Sequence, residues 1–471
     1  MHHKRDQWFL AIDQGGHASR ALVYDTNGAL VDSTYCEIET LEKPGNIVEH
    51  DANAFIASVK QVLNELAKKL GEDLIHISLA GLACQRSSIV CWNRESGEAL
   101  SPVISWQDRR TADDLHRYSA HRELIQNKTG LLLNPHYGAS KMRWCLENLP
   151  ATADAERQGT LVMSPVASFL LYHLLEQRPI VVDPANAGRT LIYDYKTGNW
   201  CDELLTVFGI QKNTLPTCVN SFYDYGTIAL KGHEIDFKLC TGDQSAAVFY
   251  SGMPQTDSLY INAGTGAFVQ QIQNSLFDDH KSSLLKSIVF LDENQRLYVR
   301  EGTVNGAGRA LQWYAEKTGC LDYTKHLENW LNDYDSPPIF LNAIAGVGSP
   351  FWATFDSHFN RECSTEEGFV AIVESILFLL QSNINLFSHF LRIYISGGLS
   401  NSALFCQHLA DLSGVVVCRQ KVHEATAKGI FMLLSKTDSS PEVEKEFIPL
   451  ENDPLNQRFT CWQKEMKRIL R

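Results

Sequence analysis

The sequence predicts an α/β protein built of two related halves, and three observations carry that expectation. Near the start, WFLAIDQGGHASRALVYDTNGALV reads as strand, polar glycine turn, strand, Asn27-Gly28 turn and strand, a β-meander. About 250 residues later, DSLYINAGTGAFVQQI repeats the grammar of strand, glycine turn and strand, which points to duplication rather than to an array of short repeats. Between and after these, helical patterns alternate with strands.

The first such helix is Asp51 to Leu70. It places Phe55, Val59, Val62, Leu63, Leu66 and Leu70 on one face, with Asp51 as N-cap. A second, apolar helix is expected over Gly368 to Phe390. It precedes RIYISGGLSNSALFCQHLADLSGVVV, which reads as strand, glycine turn, helix over Asn401 to Leu412, and strand. A length of 471 residues exceeds what one hydrophobic core supports, so two domains are expected, 1–241 and 242–471.

Composition narrows the function classes. A formal charge of -13 argues against a general nucleic-acid binder, which would show a basic face. Twelve cysteines lie scattered with no C-x-x-C pair, so they are expected to be reduced and mostly buried. The stretch Met1 to Trp8 is short and polar, unlike a signal peptide. Apolar runs such as Leu161 to Leu175 are interrupted by Ser164, Pro165, Ser168 and His173, so no membrane span is expected and the cytoplasm is the expected location.

Three glycine-bearing turns follow strands, at Asp13 to Gly16, Gly264 to Gly266 and Gly397 to Gly398. Glycine there lets backbone amides approach phosphate oxygens. No Walker G-x-x-x-x-G-K-[ST] motif occurs, and the first two turns lead into strands rather than into a long helix.

The chain resembles the FGGY family of carbohydrate kinases, in its glycerol kinase branch. The motifs that carry the likeness are AIDQGGHASRALVYD, PGNIVEHD, CQRSSIVCWNRESGEALSPVISWQDRRT and NKTGLLLNPHYGASKMRWCLEN. They continue past the midpoint with DPANAGRTLIYDYKTGNW, TGDQSAAVFYSG, INAGTGAFV, GTVNGAGRALQWY, AGVGSPFW and SGGLSNSALFCQHLAD, so the likeness spans Phe9 to Leu434.

The resemblance implies an actin-like (ribonuclease H-like) fold of two domains with a cleft between them. It implies ATP-dependent phosphorylation of a hydroxyl on a small polyol or sugar, with the acceptor on the first domain and ATP mainly on the second. Asp243 matches the family's catalytic base, and Asp13, with Asp243, its Mg²⁺-side carboxylates. Gly15, Gly16, His17, Ser19, Arg20, Gly264, Thr265, Gly266, Gly308, Gln312, Gly397, Gly398, Asn401 and Ser402 match nucleotide-side positions. Arg86, Ser87, Trp106, His136, Gln244 and Phe268 match acceptor-side positions.

Five departures stand out against the family pattern. Gly16, His17 and Ala18 replace hydroxyl residues of the first turn. Ser87 stands where glycerol kinases carry glutamate, and His136 where they carry tyrosine, so the acceptor need not be glycerol. Ser402 replaces an asparagine, and LKGHEIDF lacks the loop linked to sugar-bisphosphate regulation. The altered first turn leaves one alternative, a catalytically impaired sensor that binds nucleotide and polyol. The expected partners are the small polyol or sugar and ATP, with homodimer formation left open.

Overall fold

The structure is a computed structural model that describes residues 7–276, 283–421, 424–437 and 442–470; the stretch before residue 7, read as polar, lies outside it. Two large sheets, one in each half, carry the architecture. In the first, Trp8–Gln14 (β1), Ala18–Tyr24 (β2) and Leu30–Glu37 (β3) form the expected antiparallel meander, with Phe9 opposite Tyr24 and Ala18 opposite Glu37. Ile77–Cys84 (β4) runs parallel to β1 and places Ala83 beside Asp13. Phe222–Leu230 (β5) and His233–Gly242 (β6) complete the spatial order β5-β6-β4-β1-β2-β3, with β6 parallel to β4.

The second sheet repeats this plan. Ser258–Ala263 (β7) and Ala267–Gln273 (β8) are antiparallel, as β1 and β2 are. Leu285–Leu291 (β9), Arg296–Val304 (β10), Arg392–Ser396 (β11), Val416–Gln420 (β12) and Val443–Phe447 (β13) follow, in the order β9-β10-β8-β7-β11-β12-β13. Strand β11 is parallel to β7, as β4 is to β1. Asn262, next to last in β7, therefore stands where Asp13 stands in β1, and the repeat read along the chain is a repeat in space.

Helices cover the faces for local reasons. Asp51 accepts the Ala54 amide at 2.8 Å and caps Ala52–Leu70, whose buried face contains each of the six apolar residues expected there. The second expected helix is shifted, running Thr365–Ile384. It starts earlier because Ser364 and Glu367 form a capping box. It stops earlier because the amides of Leu386 and Phe387 bond carbonyls three residues back, turning the chain toward β11. Among the described residues this is the one helix long and apolar enough to cross a membrane, and 94% of its most apolar window is buried inside the protein.

The two halves share a core. Helix Ala425–Ser435 packs on β1 and β4 of the first sheet, with the Phe431 ring 5.4 Å from that of Phe9. The same cluster includes Leu22 and Leu239 from the first half and Ile272 and Val289 from the second. All twelve cysteines are free, most of them buried.

Candidate active site

The C-terminal ends of β1, β4 and β6 put chemistry-bearing side chains next to one another. Asp13 is the penultimate residue of β1 and is buried. Asp243 follows the last residue of β6 and opens a short helix, Asp243–Ala247, where its carboxylate accepts the Gln244 amide at 2.7 Å. Burial pushes the Asp13 carboxyl up to about 7; the charge of Asp243 adds to the rise, and Arg20, 3.4 Å away, opposes it. Burial raises Asp243 as well, against the pull of Arg86, whose Nε lies 3.9 Å from it.

Two carboxylates with too little cationic compensation suit a divalent metal. Among the described residues no group of three or more His, Cys, Asp or Glu forms a closed metal cage.

Beside the carboxylates lies a buried ionic cluster that joins the halves. The Arg86 guanidinium donates to Gln244 Oε1 and, at 3.5 Å, to Ser245 Oγ, and stands 3.9 Å from Glu301 on β10. Glu301 accepts from Arg189 at 3.1 Å and from Gln270 at 2.8 Å. Burial alone would raise the Glu301 carboxyl, but Arg189 and Arg86 hold it below its ordinary value. Burial and the like charge of Arg189 lower Arg86 to about 10.

Around this cluster several buried polar atoms lack a protein partner: Gln85 Nε2, Ser87 Oγ, Arg189 Nε, Thr241 Oγ1 and Thr303 Oγ1. Buried polar groups are normally satisfied, so these atoms leave room for a polar ligand or water, as others elsewhere in the chain do. Thr303 pairs with Phe268 across β10 and β8, which brings that ring to the same region. The rings of Trp106 and His136 are 5.6 Å apart. Burial, then Lys141 and Arg109, push the His136 imidazole well below its ordinary pKa, so it is neutral.

In the second half, three turns converge. The Gly308 amide donates to the Gly264 carbonyl at 2.9 Å, and the Arg309 amide to that of Thr265 at 3.0 Å. A methyl group on Gly308 would lie 2.8 Å from the Gly264 oxygen; one on Gly397, at φ +92°, would lie 2.6 Å from the Ala263 oxygen. Only glycine permits either approach. Thr265 and Gln312 are exposed, Gln312 one turn beyond Gly308 in helix Gly308–Thr318.

Gly398 begins a tight turn ending at Asn401. Ser402 then caps helix Ala403–Ser413, so that helix begins two residues later than expected. The Ser402 hydroxyl also donates to Glu328 at 2.5 Å, and the Asn401 carbonyl accepts from Arg419 at 3.2 Å.

The first turn is closed by a bond from the Gly15 amide to the Ala18 carbonyl at 2.9 Å, with His17 exposed. Gly16 abuts the acceptor side, since a methyl there would lie 3.7 Å from Gln85 Oε1 and 3.9 Å from Trp106 Nε1. Ser19 departs from expectation. Its hydroxyl donates to Gln14 Oε1 at 2.6 Å, lies 2.7 Å from Ser58 Oγ and has no exposure, so it does not reach a phosphate.

The fold and these motifs match known proteins along most of the chain. Residues 8–249 match the N-terminal domain of the FGGY family of carbohydrate kinases, and residues 259–436 match its C-terminal domain. The chain belongs to the FGGY family of carbohydrate kinases. Among its relatives is a glycerol kinase of Rhodopirellula baltica, 30% identical over 440 residues, covering 89% of this chain and 81% of the relative. A crystal structure of Plasmodium falciparum glycerol kinase with ADP superposes with a TM-score of 0.89 at 22% identity, covering 98% of both chains. Ligand-bound xylulose kinase from Lactobacillus acidophilus gives 0.84 at 19% identity, again with 98% of both chains covered.

As an FGGY kinase the chain is an ATP-dependent enzyme that phosphorylates a sugar or polyol, on the actin-like fold expected from its motifs. Residues without a role in the sequence reading are Glu301, Arg189 and Lys141. Arg189 and Lys141 lie inside quoted motifs and Glu301 immediately precedes one, but only the folded chain shows that each is buried and what it meets. The available signal was a charged residue among small and apolar neighbours, as in GASKMRWC.

Proposed function

We propose that the enzyme transfers the γ-phosphoryl group of ATP to a hydroxyl of a small polyol or sugar, with Asp243 as general base. The observation that carries this reading is that Asp13 and Asp243 stand at the ends of β1 and β6, the strands on either side of β4, near enough that the charge of Asp243 raises the Asp13 carboxyl, while the turns at Gly264, Gly308 and Gly397 converge in the second half. The acceptor hydroxyl donates its proton to the Asp243 carboxylate while its oxygen bonds to the γ-phosphorus. The bond from that phosphorus to the β-bridging oxygen breaks, releasing ADP. Burial makes the Asp243 carboxylate a stronger base than one in water, which suits it to accept that proton.

Arg86, Gln244, Trp106, His136, Ser87 and Phe268 form the acceptor side in this reading, on the part of the chain before 242 except for Gln244 and Phe268. The backbone of Gly15, Gly16 and His17, with Arg20, holds phosphate from one side. Gly264–Gly266, Gly308, Gln312, Gly397, Gly398, Asn401 and the Ser402 backbone hold the nucleotide from the other. Asp13, with Asp243, would hold Mg²⁺, whose charge neutralises the phosphate oxygens during transfer.

A glycerol-like polyol ranks first as acceptor, then a ketose or sugar alcohol. Ser87 and His136 offer a hydroxyl and a neutral imidazole where glycerol kinases offer glutamate and tyrosine, and sites that bond particular hydroxyls discriminate strongly. The alternative of a sensor without turnover gains no support from a site in which both carboxylates are in place. ADP release is to be measured with a panel of polyols and sugars, on the parent enzyme and on Asp243→Asn. ATP-dependent turnover with at least one acceptor, lost in Asp243→Asn, is expected; no turnover with any acceptor contradicts the proposal.

A further inference from the structure

We propose that Lys141 is the positioning residue of the acceptor pocket, holding in register the three backbone segments that bear Ser87, Trp106 and His136. The inference rests on the reading of those three residues as the acceptor side. Lys141 lies in the first turns of helix Gly138–Asn148 and has no solvent exposure. Its ammonium donates to the carbonyls of Ser105 at 2.7 Å, His136 at 2.8 Å and Ser87 at 3.4 Å. An ammonium has three N–H groups, and three carbonyls take them all.

Those carbonyls come from three different segments. Ser87 belongs to the turn after β4, Ser105 immediately precedes Trp106, and His136 lies in the loop before the lysine's own helix. Two of the segments have a second tie, because Ser88 Oγ accepts the Trp106 amide at 3.0 Å and donates to Gln85 Oε1 at 3.0 Å. The His136 segment has no such tie among the described hydrogen bonds. That segment is anchored to a different strand of chain by the Gly138 and Ala139 amides, which donate to the Arg189 and Thr190 carbonyls, so Lys141 is the hydrogen-bonding group that relates the His136 carbonyl to the other two.

Three carbonyl acceptors around the nitrogen suit an ammonium, whose burial carries a large penalty. Burial pushes the amine well below its ordinary pKa, and no carboxylate pairs with it among the described residues. The nearby Asp108 carboxylate is taken up by Arg110 and by the Val48 amide. A methionine would fill similar volume without desolvating an ammonium. What it could not do is draw three carbonyls to one point.

Ser87 shows the consequence. It sits at φ +66°, a left-handed conformation that non-glycine residues rarely adopt, with its carbonyl turned to Lys141 and its buried Oγ without a protein partner. Lys141 thus helps hold an unsatisfied hydroxyl where an acceptor oxygen can meet it.

The test is steady-state kinetics of Lys141→Met with the best acceptor of the parent enzyme, beside thermal unfolding and ADP binding. The acceptor KM is expected to rise about 10- to 100-fold, as for an Ångström-scale misplacement, while the ATP KM stays within about twofold. Selectivity among acceptors should narrow. Lys141→Gln, whose amide can donate to two carbonyls, should fall between, and it serves as the measured variant if Lys141→Met does not fold. An unchanged acceptor KM, or a parallel rise in both KM values, overturns the inference. A parent enzyme inactive on every acceptor would instead refute the proposed function.

Discussion

Glu301 on β10 accepts from Arg189 at 3.1 Å with both side chains buried, tying the second half of the chain to the first across the cleft. Arg86 approaches the same carboxylate, so one negative charge serves two buried arginines. Replacing Glu301 with Gln leaves both arginines without it. A loss of about 3–5 kcal/mol is expected, the range for breaking a buried ion pair. Urea denaturation of Glu301→Gln measures it, and a stability within about 0.5 kcal/mol of the parent would show that the cluster is not what joins the halves.

Asp13 gives a dependence on pH with a definite sign. Its carboxyl titrates at about 7 when folded and near 3.8 when unfolded. Between those values the folded state binds more protons, so stability falls as pH rises through that window. The whole effect is at most about 4 kcal/mol, taking roughly 1.4 kcal/mol per tenfold change in proton affinity. Thermal unfolding at pH 5 and pH 8 should show the parent losing more stability than Asp13→Asn. Mg²⁺ added at pH 8 should stabilise the parent more than Asp13→Asn, which keeps only the Asp243 carboxylate.

Gly308 offers a test in which local and tertiary effects have opposite signs. Alanine for glycine at an ordinary helix position stabilises by about 1 kcal/mol. Here the new methyl group would meet the Gly264 carbonyl at 2.8 Å and push two turns apart. Gly308→Ala is therefore expected to lower the melting temperature and raise the ATP KM about tenfold, leaving the acceptor KM little changed. A more stable variant with a normal ATP KM would remove this contact from the nucleotide site.

What could be read from the sequence was what is encoded locally. Asp51 caps the helix it precedes, and the glycine turns follow their strands, because caps and turns depend on a few neighbouring residues. Asp13 and Asp243 came from motif likeness, and the fold places them together. Glu301 and Arg189 are 112 residues apart, so nothing local in either says that they meet. Lys141 reads as an ordinary helix lysine until the folded chain brings three carbonyls to it. Ser19 differs from expectation for a related reason: its hydroxyl turns inward, donating to Gln14 Oε1 beside Ser58 Oγ, and Ser58 is 39 residues away in sequence.

The central claim is that the Asp243 carboxylate takes the acceptor's proton, and Asp243→Asn tests it most directly, because the amide keeps the shape and loses the base. The rate of ADP release at saturating ATP and acceptor should fall about 10²- to 10⁴-fold, the usual contribution of a positioned base. ATP affinity and thermal stability should be preserved. A variant that retains turnover within about threefold of the parent would contradict the account.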